Sequence, residues 1–81
     1  MRESLERLVA MANDIANYFH SDPDRAAGVD GIANHIRRFW EPRMRRKIIA
    51  HLHEQDGEGL NELARAGVEK LAANAAAEPR A

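Results

Sequence analysis

The side chains in this sequence with the best claim to chemistry are its four histidines, His20, His35, His51 and His53, because imidazole serves as metal ligand, general base and proton shuttle. Their spacing works against all three uses. His51 and His53 are two residues apart, so on a helix they point roughly 200° away from one another and cannot share a metal. A zinc protease helix needs two histidines four apart with a glutamate between them, and His51-Leu52-His53-Glu54 lacks that arrangement. His20 falls where a first helix should end, a position at which a cation complements the helix dipole. His35 lies off the apolar stripe of a second helix. All four read as surface or capping residues. The chain has no cysteine and no threonine, which removes disulfides, thiolate metal sites, cysteine-ligated iron–sulfur clusters and two kinds of nucleophile. Ser4 and Ser21 are the only serines and sit at helix boundaries. No glycine-rich loop follows a strand, so there is no phosphate cradle. These residues give no catalytic, cofactor-binding or metal-ligating site.

One segment is chemically dense in a different way. Arg37-Arg38-Phe39-Trp40-Glu41-Pro42-Arg43-Met44-Arg45-Arg46-Lys47 holds six cations, two aromatics, one methionine and one glutamate. The overall charge of −1 hides this concentration: residues 31–50 carry six basic and one acidic side chain, a balance of +5, whereas residues 1–30 and 51–81 each carry three basic and six acidic, −3 apiece. Three readings compete for the segment. In the first, Phe39 and Trp40 are core and the arginines are a solvated face. In the second, clustered arginine with nearby aromatics binds nucleic acid, a reading that the acidic flanks and the absence of net positive charge oppose. In the third, it is a protein interface, since tryptophan, arginine and methionine are enriched there and guanidinium groups pair with carboxylates. The interface set is then Arg37, Arg38, Trp40, Glu41, Pro42, Arg43, Met44, Arg45 and Arg46. Arg45 favours this reading because it projects between Met44 and Ile49 on an otherwise apolar side, where a partner's carboxylate would compensate its charge.

The elements that must position this segment are all helices. Leu5, Leu8, Val9, Ala12, Ile15, Ala16 and Phe19 repeat with helical period, giving a first helix at about residues 4–20. The Ser21-Asp22-Pro23-Asp24 turn leads to a second at about 24–40, whose early turns Gly28 and Gly31 should weaken. Pro42 ends that helix and suits the first turn of a third, at about 42–55. Asp56-Gly57-Glu58-Gly59 is a stop, and a fourth helix at about 60–73 follows, with Asn61 as its cap. The expected core is Leu8, Ile15 and Phe19 from the first helix, Ile32, Ile36 and Phe39 from the second, Ile48 and Leu52 from the third, and Leu63 from the fourth. The fold class is therefore all-α, a small bundle of three to four short helices forming one domain over residues 1–73, with a frayed tail over 74–81. Of 36 apolar residues 15 are alanine, so the core is thin for independent stability. No apolar run approaches the roughly 20 residues that span a bilayer. Met1-Arg2-Glu3-Ser4 lacks the apolar stretch of a secretion signal, so the expected location is cytoplasmic.

The run His35-Ile36-Arg37-Arg38-Phe39-Trp40-Glu41-Pro42-Arg43-Met44-Arg45 resembles the delta subunit of the cytoplasmic, NAD-dependent, molybdenum-containing formate dehydrogenases. Leu8-Val9-Ala10-Met11-Ala12-Asn13, Ile15, Phe19 and Gly59-Leu60 support the resemblance, which covers roughly residues 5–72. It implies a non-catalytic accessory subunit of an oxidoreductase complex. In that complex an alpha subunit oxidises formate to carbon dioxide with molybdenum bis-guanine-dinucleotide and iron–sulfur clusters. Beta and gamma subunits pass electrons through further clusters and FMN to NAD. The delta subunit is implied to bind none of these cofactors and to contact the alpha subunit, stabilising assembly or supporting maturation. Two alternatives stay open: a transient chaperone for molybdenum-cofactor insertion, and a regulator binding nucleic acid through the basic segment. Self-association of the bundle is a further possibility.

Overall fold

The computed structural model describes residues 4–77, which form four α-helices: α1 Leu5–Phe19, α2 Arg25–Phe39, α3 Pro42–Gln55 and α4 Glu62–Ala77. There is no strand among the described residues, in keeping with the all-α class that the periodicity gives. Each start has a chemical cause. Ser4 is extended and its hydroxyl accepts from the Arg7 amide at 3.1 Å. Asp24 accepts from the amides of Ala26 and Ala27 at 3.0 and 3.3 Å, which fixes the start of α2 in spite of the glycines that follow. Pro42 opens α3, where its missing N–H costs no hydrogen bond. The Asn61 side chain accepts from the Ala64 amide at 2.8 Å, so α4 begins at Glu62 rather than at 60. It runs on to Ala77, past the expected end at 73, because its last residues are mostly alanine, the best helix former. Of the expected frayed tail, residues 78–81 lie outside the described residues.

The core lies around α2. Ile32, Ala33 and Ile36 of α2 are buried against Ala64, Val68 and Leu71 of α4, Leu8, Ala12 and Ala16 of α1, and Ile48 and Leu52 of α3. Small residues let the helices approach closely. A methyl group built on Gly67 of α4 would lie 2.4 Å from Cγ2 of Ile32, and one on Gly31 would lie 2.5 Å from Cε1 of Phe19. Gly31 therefore marks where the Phe19 ring crosses α2, a packing role that its low helix propensity conceals. Ile15, Phe19 and Leu63, expected in the core, are half-buried at its margin.

Polar side chains of α1 and α3 tie the α3–α4 turn to the helices. Asn13 of α1 donates from Nδ2 to the Gly59 carbonyl at 3.0 Å and accepts from the Asn61 amide at 2.8 Å. His51 corrects the reading of all four histidines as surface or cap residues: it is 8% exposed, with Nε2 2.7 Å from the Glu58 carbonyl oxygen. A carbonyl can only accept, so Nε2 carries the proton and donates. The turn leaves α3 through Asp56 at φ 56°, and Arg65 of α4 pairs with the Asp56 carboxylate.

Candidate partner interface

The corner between α2 and α3 gathers the cationic segment. The helical path of α2 stops at Phe39, and Trp40 is extended at φ −89°, ψ 143°, its amide still donating to the Ile36 carbonyl at 2.9 Å. That turn carries the indole inward, and Trp40 is 4% exposed. Phe39, the last helical residue, is left outside at 69% exposure. The expected roles of the pair are thus exchanged: Phe39 is not core, and Trp40 is not available as the apolar centre of an interface. At about 100° per residue Phe39 and Trp40 both fall inside one apolar arc with Ile32 and Ile36, a geometry that ceases to apply once the chain leaves the helix at position 40.

Arg45 is also corrected. Its Nη1 donates to the carbonyls of both Arg37 and Trp40 at 2.9 Å. The last carbonyls of a helix have no partner within it, so Arg45 reaches back from α3 to cap α2 and hold the corner. Its charge is compensated by backbone dipoles of its own chain and does not wait for a partner's carboxylate.

Beside Arg45 lies an open groove of about 460 Å³. Arg37, Arg38, Arg45, Arg46 and Asn74 supply its polar lining, while Pro42, Ile49, Leu71 and Ala75 supply the apolar part. Arg43 and Lys47 are exposed on the same helix but do not line the groove, and Glu41 is exposed at its N-terminal end without a side-chain capping bond. Met44 is half-buried and packs against the core. Such an arrangement has the chemistry to hold carboxylates: the exposed Arg37, Arg38 and Arg46 beside apolar surface.

A second surface went unread in the sequence. Tyr18, 79% exposed, and Phe39 flank a hollow between α1 and α2. The signal for Tyr18 was present, because it falls outside the apolar repeat of α1. His35 lies against Phe39 at a tilt of 41° with ring centroids 4.8 Å apart, and Cζ of Arg38 lies 5.9 Å from the Phe39 centroid. Among the described residues no group of three or more histidine, aspartate or glutamate side chains is placed to hold a metal ion. No helix there is long and apolar enough to cross a membrane.

With this geometry in place, comparison with known families is decisive: NADH-dependent formate dehydrogenase delta subunit FdsD matches residues 7–68. The chain belongs to this family. The matched stretch contains α1, α2 and α3 almost whole together with the arginine corner, and stops within α4. Comparison with curated proteins and with solved structures gave no match. The delta-subunit family associates this chain with a formate dehydrogenase complex as one of its subunits.

Proposed function

We propose that this delta subunit is a non-catalytic component that docks on the alpha, catalytic subunit of formate dehydrogenase through the α2–α3 arginine corner and stabilises the assembled enzyme. Formate oxidation and electron transfer through molybdenum, iron–sulfur, flavin and NAD centres then belong to the alpha, beta and gamma subunits, a division that suits a chain without cysteine. The observation that carries the reading is the groove lined by Arg37, Arg38 and Arg46 at a corner fixed by Arg45. Guanidinium groups preset around an apolar base match a surface bearing carboxylates. Because Arg37, Arg38 and Arg46 are exposed, they would govern encounter rate and salt dependence.

The test is co-purification of tagged delta from cells making the whole complex, with stoichiometry read by mass spectrometry. Wild type is expected at one copy per active complex. Arg43→Glu with Arg46→Glu, both exposed, should retain the helical signal and lower occupancy at least tenfold at physiological salt. Delta recovered only with an immature, metal-free alpha subunit would replace the resident role by the chaperone role. Normal occupancy of the charge-reversed variant would reject the arginine corner.

A further inference from the structure

Two Asp-Gly pairs occur in the chain, Asp30-Gly31 and Asp56-Gly57. Such a pair can rearrange without an enzyme, because glycine has no side chain to obstruct its own nitrogen. The glycine nitrogen bonds to Cγ of the protonated aspartate carboxyl. The amide proton leaves with the carboxyl hydroxyl as water, and a five-membered succinimide results. Water then adds to one of the two ring carbonyls that flank the nitrogen. Addition at Cγ restores aspartate, whereas addition at the former backbone carbonyl carbon routes the chain through the side chain, as isoaspartate. One water is released and one consumed, so solvent is the only co-reactant.

The fold separates the two pairs. Asp30-Gly31 lies within α2 with the Phe19 ring packed on Gly31, so its rearrangement requires a packed helix to unwind. Asp56-Gly57 lies in the α3–α4 turn, with φ 56° and 69°. The Asp56 side chain is 80% exposed and open to solvent, and its carboxylate is engaged by the Arg65 guanidinium. Gly57 is held in the opposite way. It is buried, its amide donates to the His51 carbonyl at 3.2 Å, and a methyl group built on it would meet Leu60, Leu52 and the Arg65 stem at 3.1, 3.5 and 3.6 Å. Electrophile and nucleophile are neighbours in the chain, yet each is tied to a different helix.

We propose that Asp56-Gly57 is an isoaspartate-forming site held shut by Arg65 and the His51 carbonyl, so that rearrangement proceeds when the α3–α4 turn opens. A turn opens locally at lower cost than the middle of a packed helix, which places the chemistry at Asp56 rather than Asp30. The product has one more backbone atom ahead of the Glu58 carbonyl that His51 holds, and that lengthening loosens the turn.

The experiment ages full-length delta at neutral pH, below its melting transition and separately in urea, and quantifies isoaspartate at each pair by electron-transfer dissociation mass spectrometry. In native wild type, Asp56 should rearrange at least tenfold more slowly than in urea and faster than Asp30. Arg65→Met keeps the aliphatic stem over Gly57 and removes the guanidinium. It should keep the wild-type circular dichroism and raise the Asp56 rate roughly threefold, the scale of a largely exposed ion pair, with Asp30 unchanged. Equal native and urea rates at Asp56 would overturn the closure. A native rate at Asp56 no greater than at Asp30 would overturn the placement. An unchanged Asp56 rate in Arg65→Met, or a parallel rise at both pairs, would overturn Arg65 as the guard.

Discussion

At the scale of single residues, Phe39 and Trp40 show how one backbone rotation assigns two neighbouring aromatics to opposite environments. Trp40→Ala removes a buried indole and should cost about 3–5 kcal/mol, enough to abolish a cooperative urea transition in so small a domain. Phe39→Ala removes an exposed ring and should change stability by less than about 0.5 kcal/mol in the same assay. A large loss on Phe39→Ala would return that residue to the core. Leu8, Ile32, Ile36 and Ile48 are fully buried and stood out in the sequence because they lie near the middle of helical stripes. Phe39 and Trp40 could not be sorted that way, since the deciding dihedral belongs to a residue already outside the helix. The burial of His51 was hidden for a related reason. Its partner is a backbone carbonyl in the α3–α4 turn, a group that no side-chain pattern advertises.

At the scale of elements, helix limits were readable wherever a cap or a proline set them, as at Ser4, Asp24 and Pro42. Contacts between elements were not. Gly67 drew no attention in the sequence, yet it lies where α4 presses on Ile32 of α2. Because a methyl group there has no room, Gly67→Ala should destabilise the chain by about 1–3 kcal/mol despite the better helix propensity of alanine. A stabilised variant in thermal melting would contradict the close α2–α4 approach. Arg45 likewise looked like an interfacial charge because its acceptors belong to the preceding helix. Arg45→Met, which keeps the aliphatic stem but no donor, should cost roughly 1–2 kcal/mol. It should also weaken binding to the complex, since the corner that presents Arg37 and Arg46 loses its tie; unchanged stability and binding together would show that the cap is idle.

At the scale of the whole molecule, twelve apolar residues form the buried core among the described residues, and four of these are alanine. If delta docks on the complex as proposed, association adds to the stability of so lean a core. With the complex present at about one hundred times its dissociation constant, linkage adds roughly 2.7 kcal/mol, which raises the melting temperature of delta by roughly 10–20 °C. Calorimetry of free and bound delta checks this, and a shift of only a few degrees would mean that the complex gives delta little support. The Asn13 clamp has a consequence of another kind. The Asn61 amide belongs to a turn, where hydrogen exchange is ordinarily fast and local, but its acceptor is a side chain 48 residues earlier in the sequence. Freeing that amide breaks the contact by which Asn13 ties α1 to the start of α4, so its deuterium uptake should report on that seam rather than on the turn alone, and Asn13→Ala should return it to the fast exchange of a loop proton.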